Sequence, residues 1–272
     1  FLERDRTPGE LRVLLSRSPD RPSVKLVIPE GLTRFAIAER LETSGVCAKE
    51  SFLAATGDPL LLEALEVPGL SGLSPASAEG YLFPATYPMK LDTPAREGVE
   101  RLVREAHARW ARLQEASPDG LSKVRASLGW GRAEIMALAS MIEKEAAVAE
   151  ERPVIASVFY NRLLDPAFAP KLLQSDPTAA YGCLAAPAEA PSCASFEGKV
   201  TGAMNRDPLN RYSTYTHEGL PPGPIANPGE ASIRAALAPA ETRYFFFVAK
   251  GGGRHTFSET LEAHNRAVRG SP

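Results

Sequence analysis

Residues 132–149, "RAEIMALASMIEKEAAVA", constrain the fold more than any other stretch. The run predicts a helix that opens after Gly131 and reaches about Ala149, apolar over much of its circumference, and such a helix belongs in a core. Its awkward member is Glu145. At about 100° per residue, Leu138, Met141, Ile142, Val148 and Ala149 fall within about 60° of Glu145 around the axis. Glu143 lies about 160° away with Arg132, Ser140 and Glu150, so the two carboxylates of "EKE" cannot form a close pair on a straight helix. A carboxylate in an apolar stripe is costly to ionise, and a raised proton affinity suits a general acid near neutral pH. The structural alternative is a carboxylate satisfied by Arg162 or by backbone amides. Met136, Ala139 and Ala147 make the far side fairly apolar too, which weakens the contrast between the faces.

Upstream, "VIPEGLTRFAIAERL" reads as a strand at Val24 to Ile28, a turn at Pro29-Glu30-Gly31 and a helix from Thr33 to about Ser44. Thr33 is its N-cap, and Phe35, Ile37, Ala38 and Leu41 form a rough apolar stripe. An earlier helix is expected near Thr7 to Ser16. Residues 69–94 are so punctuated by Ser, Gly and Pro that no regular structure is expected there. Thr93 to about Gln114 predicts a long amphipathic helix, with Thr93 capping, Pro94 in the first turn, and Val99, Leu102, Val103, Ala106 and Trp110 at helical spacing. Shorter helices are expected near Leu121 to Leu128 and from Pro153 to Pro166, the latter carrying Val154, Val158 and Leu163. Residues 165–230, rich in Pro, Gly, Asn and Ser, predict ordered loops with extended pieces such as "KLLQSD" and "YSTYT". "RYFFFVAKGGGRHTF" predicts a β-hairpin and Glu259 to Val268 a closing helix. Gly251-Gly252-Gly253 lacks GxxxxGK[ST] and GxGxxG and is read as a turn, not a phosphate loop. Helices early and short strands late make the fold class α+β.

Composition removes several classes of function. The chain has 272 residues, 44% of them hydrophobic, enough for one large domain or a medium one with a small companion. Lys and Arg number 31 against 33 Asp and Glu, so the basic footprint of a nucleic-acid binder is missing. The longest apolar run, Tyr244 to Ala249, falls far short of the ~20 residues of a membrane-spanning helix. The chain opens at Phe1 without an initiator methionine or a basic-then-apolar leader, the expectation for a processed or truncated product. Cys47, Cys183 and Cys193 lack zinc-ligand spacing. The last two flank "CLAAPAEAPSC" and either close as a disulfide in an oxidising compartment or stand as unrelated thiols. His107, His217, His255 and His264 form no HExxH or other ligand pair, although His255 and His264 could approach through the last turn and helix. No metal or cofactor is expected. No GxSxG elbow offers a serine nucleophile.

The loops instead carry groups that hold sugars or peptides: Asn161, Gln174 and Asp176, then Tyr212, Thr214 and Tyr215, and finally His255 and Asn265. Amides, hydroxyls and flat aromatic faces suit polyhydroxylated ligands, though each residue alone equally suits a turn or a cap. Asp176 before Pro177-Thr178 also suits an N-cap.

Four stretches taken in order carry a resemblance: "ASMIEKEAAVAEERPVIASVFYNRL", "LQSDPTAAYG", "YSTYTHEGLPPGPIANPGEASIRAALAPA" and "YFFFVAKGGGRHTFSETLEAHNRAV". From about Glu79 to the last helix the chain resembles the MltG family, the YceG-like endolytic murein transglycosylases. The resemblance implies a helix-rich catalytic domain over residues 76–272 with short strands and a C-terminal hairpin. Before it, residues 1–75 look like a small, incomplete LysM-like unit. It implies a bacterial envelope protein, anchored in the inner membrane through an N-terminal segment outside this chain and facing the periplasm. Its partners would be peptidoglycan glycan strands and, beyond them, peptidoglycan synthases. The family's catalytic glutamate is the second of its ExE pair, here Glu145, and Asn161, Gln174, Asp176, Tyr212, Thr214 and Tyr215 become candidates for orienting the glycan. One departure stands out: relatives often have Asn where Ser213 stands in "YSTY", and the "CLAAPAEAPSC" loop has no role to carry over.

The implied reaction breaks the bond between N-acetylmuramic acid and N-acetylglucosamine within nascent strands and leaves 1,6-anhydro ends, with Glu145 as acid and then base. Two other readings stay open. One is a hydrolytic muramidase or glucosaminidase using Glu145 and Asp176. The other is a non-catalytic glycan-binding module.

Overall fold

A computed structural model describes Thr7, residues 22–70 and residues 76–270. The helix expected near Thr7 to Ser16 lies outside the described residues. Strand β1 (Ser23–Val27) leads into a turn in which Gly31 adopts φ +75°, a conformation that favours glycine. Helix α1 (Arg34–Thr43) follows with the expected cap, since the Thr33 hydroxyl accepts the Ala36 N–H at 3.3 Å. Ile37, Ala38 and Leu41 are buried as the stripe predicted. Two short helices come next that the sequence reading did not anticipate, α2 (Lys49–Thr56) and α3 (Pro59–Ala64). The second starts on Asp58, whose carboxylate accepts the Leu60 N–H at 3.0 Å ahead of Pro59.

The expectation that residues 69–94 lack regular structure is corrected by β2 (Thr86–Lys90), which pairs antiparallel with β1 from Ser23 opposite Lys90 to Val27 opposite Thr86. Tyr87 and Met89 alternate inward. Pro88 hid that alternation, but a two-stranded sheet leaves an edge of each strand unpaired, where a missing N–H costs little. The ladder crosses the expected division at 75/76. So does a buried network in which Asn227 Nδ2 donates to Glu79 Oε1 at 2.6 Å and to Leu32 O at 2.9 Å, and Asn227 Oδ1 accepts the Leu82 N–H at 2.8 Å.

Helix α4 (Ala95–Ala116) buries Val99, Leu102, Val103, Ala106 and Trp110. Thr93 does not cap it; its hydroxyl donates to Lys90 O and Pro94 holds the N-cap position. Helix α5 (Pro118–Leu128) leads to α6 (Arg132–Glu145), in which every residue from Ala133 to Ile142 is buried. A helix apolar nearly all round thus sits at the centre of the core, as its composition requires. It ends at Glu145 and not at Ala149. A 3₁₀ turn, Ala149–Glu151, then enters α7 (Arg152–Leu164).

Residues 165–230 are ordered but not extended. They form α8 (Asp176–Ala185), a 3₁₀ turn at Pro191–Ser195, and α9 (Gly202–Arg206), while "YSTYT" is a run of turns. Cys183 and Cys193 are joined as a disulfide, and with Ala190 and Met204 they make a small satellite core. Helix α10 (Glu230–Leu237) packs on α6 and α7. The expected hairpin is present as β3 (Phe246–Gly251) and β4 (Arg254–Ser258), turning through three glycines with positive φ, and α11 (Leu261–Gly270) packs on it. Two separate two-stranded sheets on a helical body make the fold α+β. Among the described residues no helix is long and apolar enough to cross a membrane.

Candidate active site

Glu145 is the last residue of α6. Leu138, Met141 and Ile142 lie buried in the helix behind it, but Val148 and Ala149, expected beside it on the helix face, stand beyond the helix end. The residue is half-buried, and its Oε1 accepts the Ser175 hydroxyl at 2.5 Å. Burial pushes its pKa above the usual carboxylate value; Asp176 adds to the rise, while the Ser175 hydrogen bond, His255 and Arg162 pull against it. The C-terminal end of a helix carries partial negative charge, which acts in the same upward direction.

Glu143 faces elsewhere, as the wheel predicted. It pairs with Arg152 at 3.3 Å and accepts the Gly229 N–H at 3.0 Å and the Ser232 hydroxyl at 2.7 Å. This carboxylate pins the start of α10 to α6.

Asp176 does not cap α8. Ser175 holds the N-cap position, yet its hydroxyl goes to Glu145 and not to the helix. Asp176 is exposed, and its Oδ1 accepts the Tyr215 hydroxyl at 2.7 Å and the Asn205 amide at 2.8 Å. Burial and the Asp176 contact push the Tyr215 phenol up. Gln174 is exposed with φ +50°, held there as its N–H donates to Thr214 O at 3.0 Å. Thr214 itself is buried: its hydroxyl accepts the Ser175 N–H at 3.0 Å and bonds the Thr178 hydroxyl at 3.0 Å. It shapes the loop that delivers Ser175 and does not face solvent.

Two candidates are used in packing. Tyr212 lies edge-on to Tyr181 with ring centroids 5.0 Å apart. Asn161 donates to Thr242 O at 3.0 Å and to Tyr244 O at 2.8 Å, tying α7 to the chain that enters β3. It also borders a groove of about 950 Å³ lined by α5, α7 and residues 237–243, which includes neither Glu145 nor Ser175. Arg162, the alternative partner for Glu145, spends its donors on Phe245 O at 2.7 Å and Leu173 O at 2.6 Å, and lies against the neighbouring rings of Phe168 and Phe246. Burial lowers its pKa to about 10, so it remains charged near neutrality.

His255 and His264 part company. His264 stacks on Phe246, whereas His255 Nδ1 pairs with Glu151 Oε2 at 2.7 Å. Among the described residues no cluster of three or more His, Cys, Asp or Glu could hold a metal ion. The site thus gathers Glu145, Ser175, Asp176, Tyr215 and Asn205, with Arg162 and His255 acting on Glu145 through their charge. Ser175, Asn205 and Glu151 were not picked out from the sequence. Ser175 meets its partner across 30 residues, and no local spacing signals that.

The description of the YceG-like family matches residues 2–270. The endolytic murein transglycosylase of Bacillus subtilis (strain 168) is 36% identical over 193 residues, 70% of this chain and 46% of that protein. The endolytic murein transglycosylase of Streptococcus pneumoniae serotype 2 is 31% identical over 283 residues, 96% of this chain and 48% of that protein. The chain therefore spans about half the length of the curated relatives it matches. A crystal structure of a YceG-like protein from Listeria monocytogenes superposes with a TM-score of 0.70 at 34% identity, covering 89% of this chain and 75% of that one.

Proposed function

The chain belongs to the YceG-like family, and on that footing we propose that it cleaves peptidoglycan glycan strands internally as a lytic transglycosylase, with Glu145 as acid and then base. The observation that carries this reading is Glu145 itself: a half-buried glutamate at a helix end, with a raised proton affinity and one oxygen already fixed by Ser175. Protonated at rest, it gives its proton to the glycosidic oxygen as the bond to the muramic acid C1 breaks. The carboxylate then takes the proton of the muramic acid C6 hydroxyl, whose oxygen closes on C1. No water is consumed and Glu145 ends as it began. With Oε1 held by Ser175, Oε2 is the oxygen that meets the substrate. Asp176 and Tyr215, bonded to each other beside Ser175, and the exposed Gln174 are the groups to orient the glycan.

One observation favours a second reading. Asp176 is close enough to raise the proton affinity of Glu145, so a hydrolase using Asp176 as base has a second carboxylate at hand. Mass spectrometry of digested peptidoglycan decides: anhydro ends are expected, and reducing ends alone would replace the transglycosylase by the hydrolase. Strand binding without cleavage would reduce the chain to a glycan-binding module.

The reaction belongs at the bacterial cell envelope in this proposal, with the full-length protein anchored in the inner membrane near peptidoglycan synthases. The Cys183–Cys193 bridge supports that placement, since disulfides persist in oxidising compartments.

A further inference from the structure

Asp176 follows directly on Ser175, whose hydroxyl lies 2.5 Å from Glu145 Oε1, and the chain thus carries a second carboxylate to the Glu145 site. Its two oxygens are occupied differently. Oδ1 accepts the Asn205 amide at 2.8 Å and the Tyr215 hydroxyl at 2.7 Å, which fills both lone pairs of that oxygen. Among the described residues nothing bonds Oδ2. Asp176 is itself exposed, so Oδ2 is open to a donor arriving from solvent.

An exposed carboxylate ordinarily samples several rotamers, but this one is held by groups 29 and 39 residues away in sequence. Asn205 is only 9% exposed, and its Oδ1 has no partner among the described residues, so the bond to Asp176 is the one hydrogen bond its side chain makes. Its main chain is fixed at both ends: the N–H donates to Thr201 O at 3.1 Å, and the carbonyl accepts the Ser213 hydroxyl at 2.5 Å. The same Ser213 oxygen accepts the Tyr215 N–H at 3.3 Å. One buried hydroxyl therefore sets both donors that meet on Asp176. Met204, the neighbour of Asn205, is fully buried in the small core around the Cys183–Cys193 bridge.

On the reading that the chain cleaves glycan strands, we propose that Asn205 is a positioning residue. With Tyr215 it fixes Oδ1 of Asp176, so that Oδ2 accepts a hydroxyl or acetamido N–H of the glycan and seats the sugar for Glu145. Asn205 touches no substrate. It holds Asp176 in the accepting rotamer before the strand arrives, so binding need not order that side chain.

The test measures binding apart from chemistry. In an E145Q background, titration calorimetry with isolated glycan strands compares N205L, D176A and the two combined. N205L should weaken binding about fivefold, the worth of one hydrogen bond, and D176A by at least as much. Once Asp176 is gone, N205L should add nothing further. With Glu145 restored, N205L should raise KM by a similar factor and leave kcat unchanged. Unchanged binding in folded N205L overturns the proposal, and so does an N205L loss that persists in full in the D176A background. A fall in kcat alone overturns it equally. Should N205L not fold, N205A decides in the same way. A wild type that makes no anhydro ends would remove the transglycosylase reading itself, while the E145Q titrations still report whether Asn205 acts through Asp176.

Discussion

Ser175 Oγ lies 2.5 Å from Glu145 Oε1, although 30 residues separate them. An N-cap serine has abandoned the usual duty of its hydroxyl toward its own helix and serves the end of another. This relation fixes the rotation of the Glu145 carboxyl and draws its proton affinity down against burial.

Replacing Ser175 by Ala removes that donor. The Glu145 pKa then rises further, so the high-pH limb of the activity profile moves to more alkaline pH. The turnover near neutrality falls about tenfold, because the carboxyl loses its fixed orientation. A pH series of anhydro-end formation checks both, and an unmoved limb would sever Ser175 from the chemistry.

Glu145→Gln keeps the shape and removes the transferable proton. Activity should drop by roughly 10²–10⁴-fold. The raised pKa also means that the folded state holds this proton more tightly than the unfolded chain, so ionised Glu145 costs stability above the unfolded value. E145Q should therefore be more stable than wild type at pH 8, by about 0.5–2 kcal/mol in urea melts, with the gain vanishing toward pH 4. A destabilised E145Q would show that the carboxylate is chiefly a structural acceptor.

Glu79 is 2% exposed, and burial pushes its pKa from 4.5 to about 7. It accepts the Arg34 N–H, the Tyr181 hydroxyl and the Asn227 amide. A raised carboxylate pKa means that stability is full below pH 4.5 and declines as pH rises to about 7, by on the order of 3 kcal/mol for this group. Chemical melts across that window should show the decline in wild type and a flatter line in E79Q. Equal slopes would mean that Glu79 titrates normally.

The Cys183–Cys193 bridge spans ten residues and props α9, whose Asn205 holds Asp176. Serine at both positions should cost about 2–3 kcal/mol, judged by loop length. Calorimetry in the presence and absence of reductant measures it. A wild type indifferent to reductant would leave the bridge without a role in stability.

The separation of Glu145 from Glu143 was legible because its cause is local: bulky apolar residues recur behind Glu145 on one helix, and Glu143 falls off that line. The end of α6 was not. Ala146, Ala147 and Ala149 are good helix formers, and no Gly or Pro among residues 146–149 announces a stop. The chain turns extended at Ala146, and Glu151 beyond it meets His255 across 104 residues. The same limit hid β2, since its partner β1 lies far upstream and Pro88 disguised its alternation. The hairpin and the Thr33 cap were readable because their partners are close in sequence. Among the candidate ligands, residue chemistry could not separate Tyr215, which meets Asp176, from Tyr212, which packs on Tyr181. That distinction depends on which way a turn faces.

Asn227 donates to Leu32 O across 195 residues, and Gly31 returns a hydrogen bond to the Asn227 carbonyl. The start and the far side of the chain are therefore stitched into one knot of polar contacts beneath α1. A growing polypeptide cannot tie that knot until residue 227 has emerged, nor bring His255 to Glu151 until later still. Maturation of this molecule is consequently a late and collective event, set by long-range closure more than by the early formation of any helix.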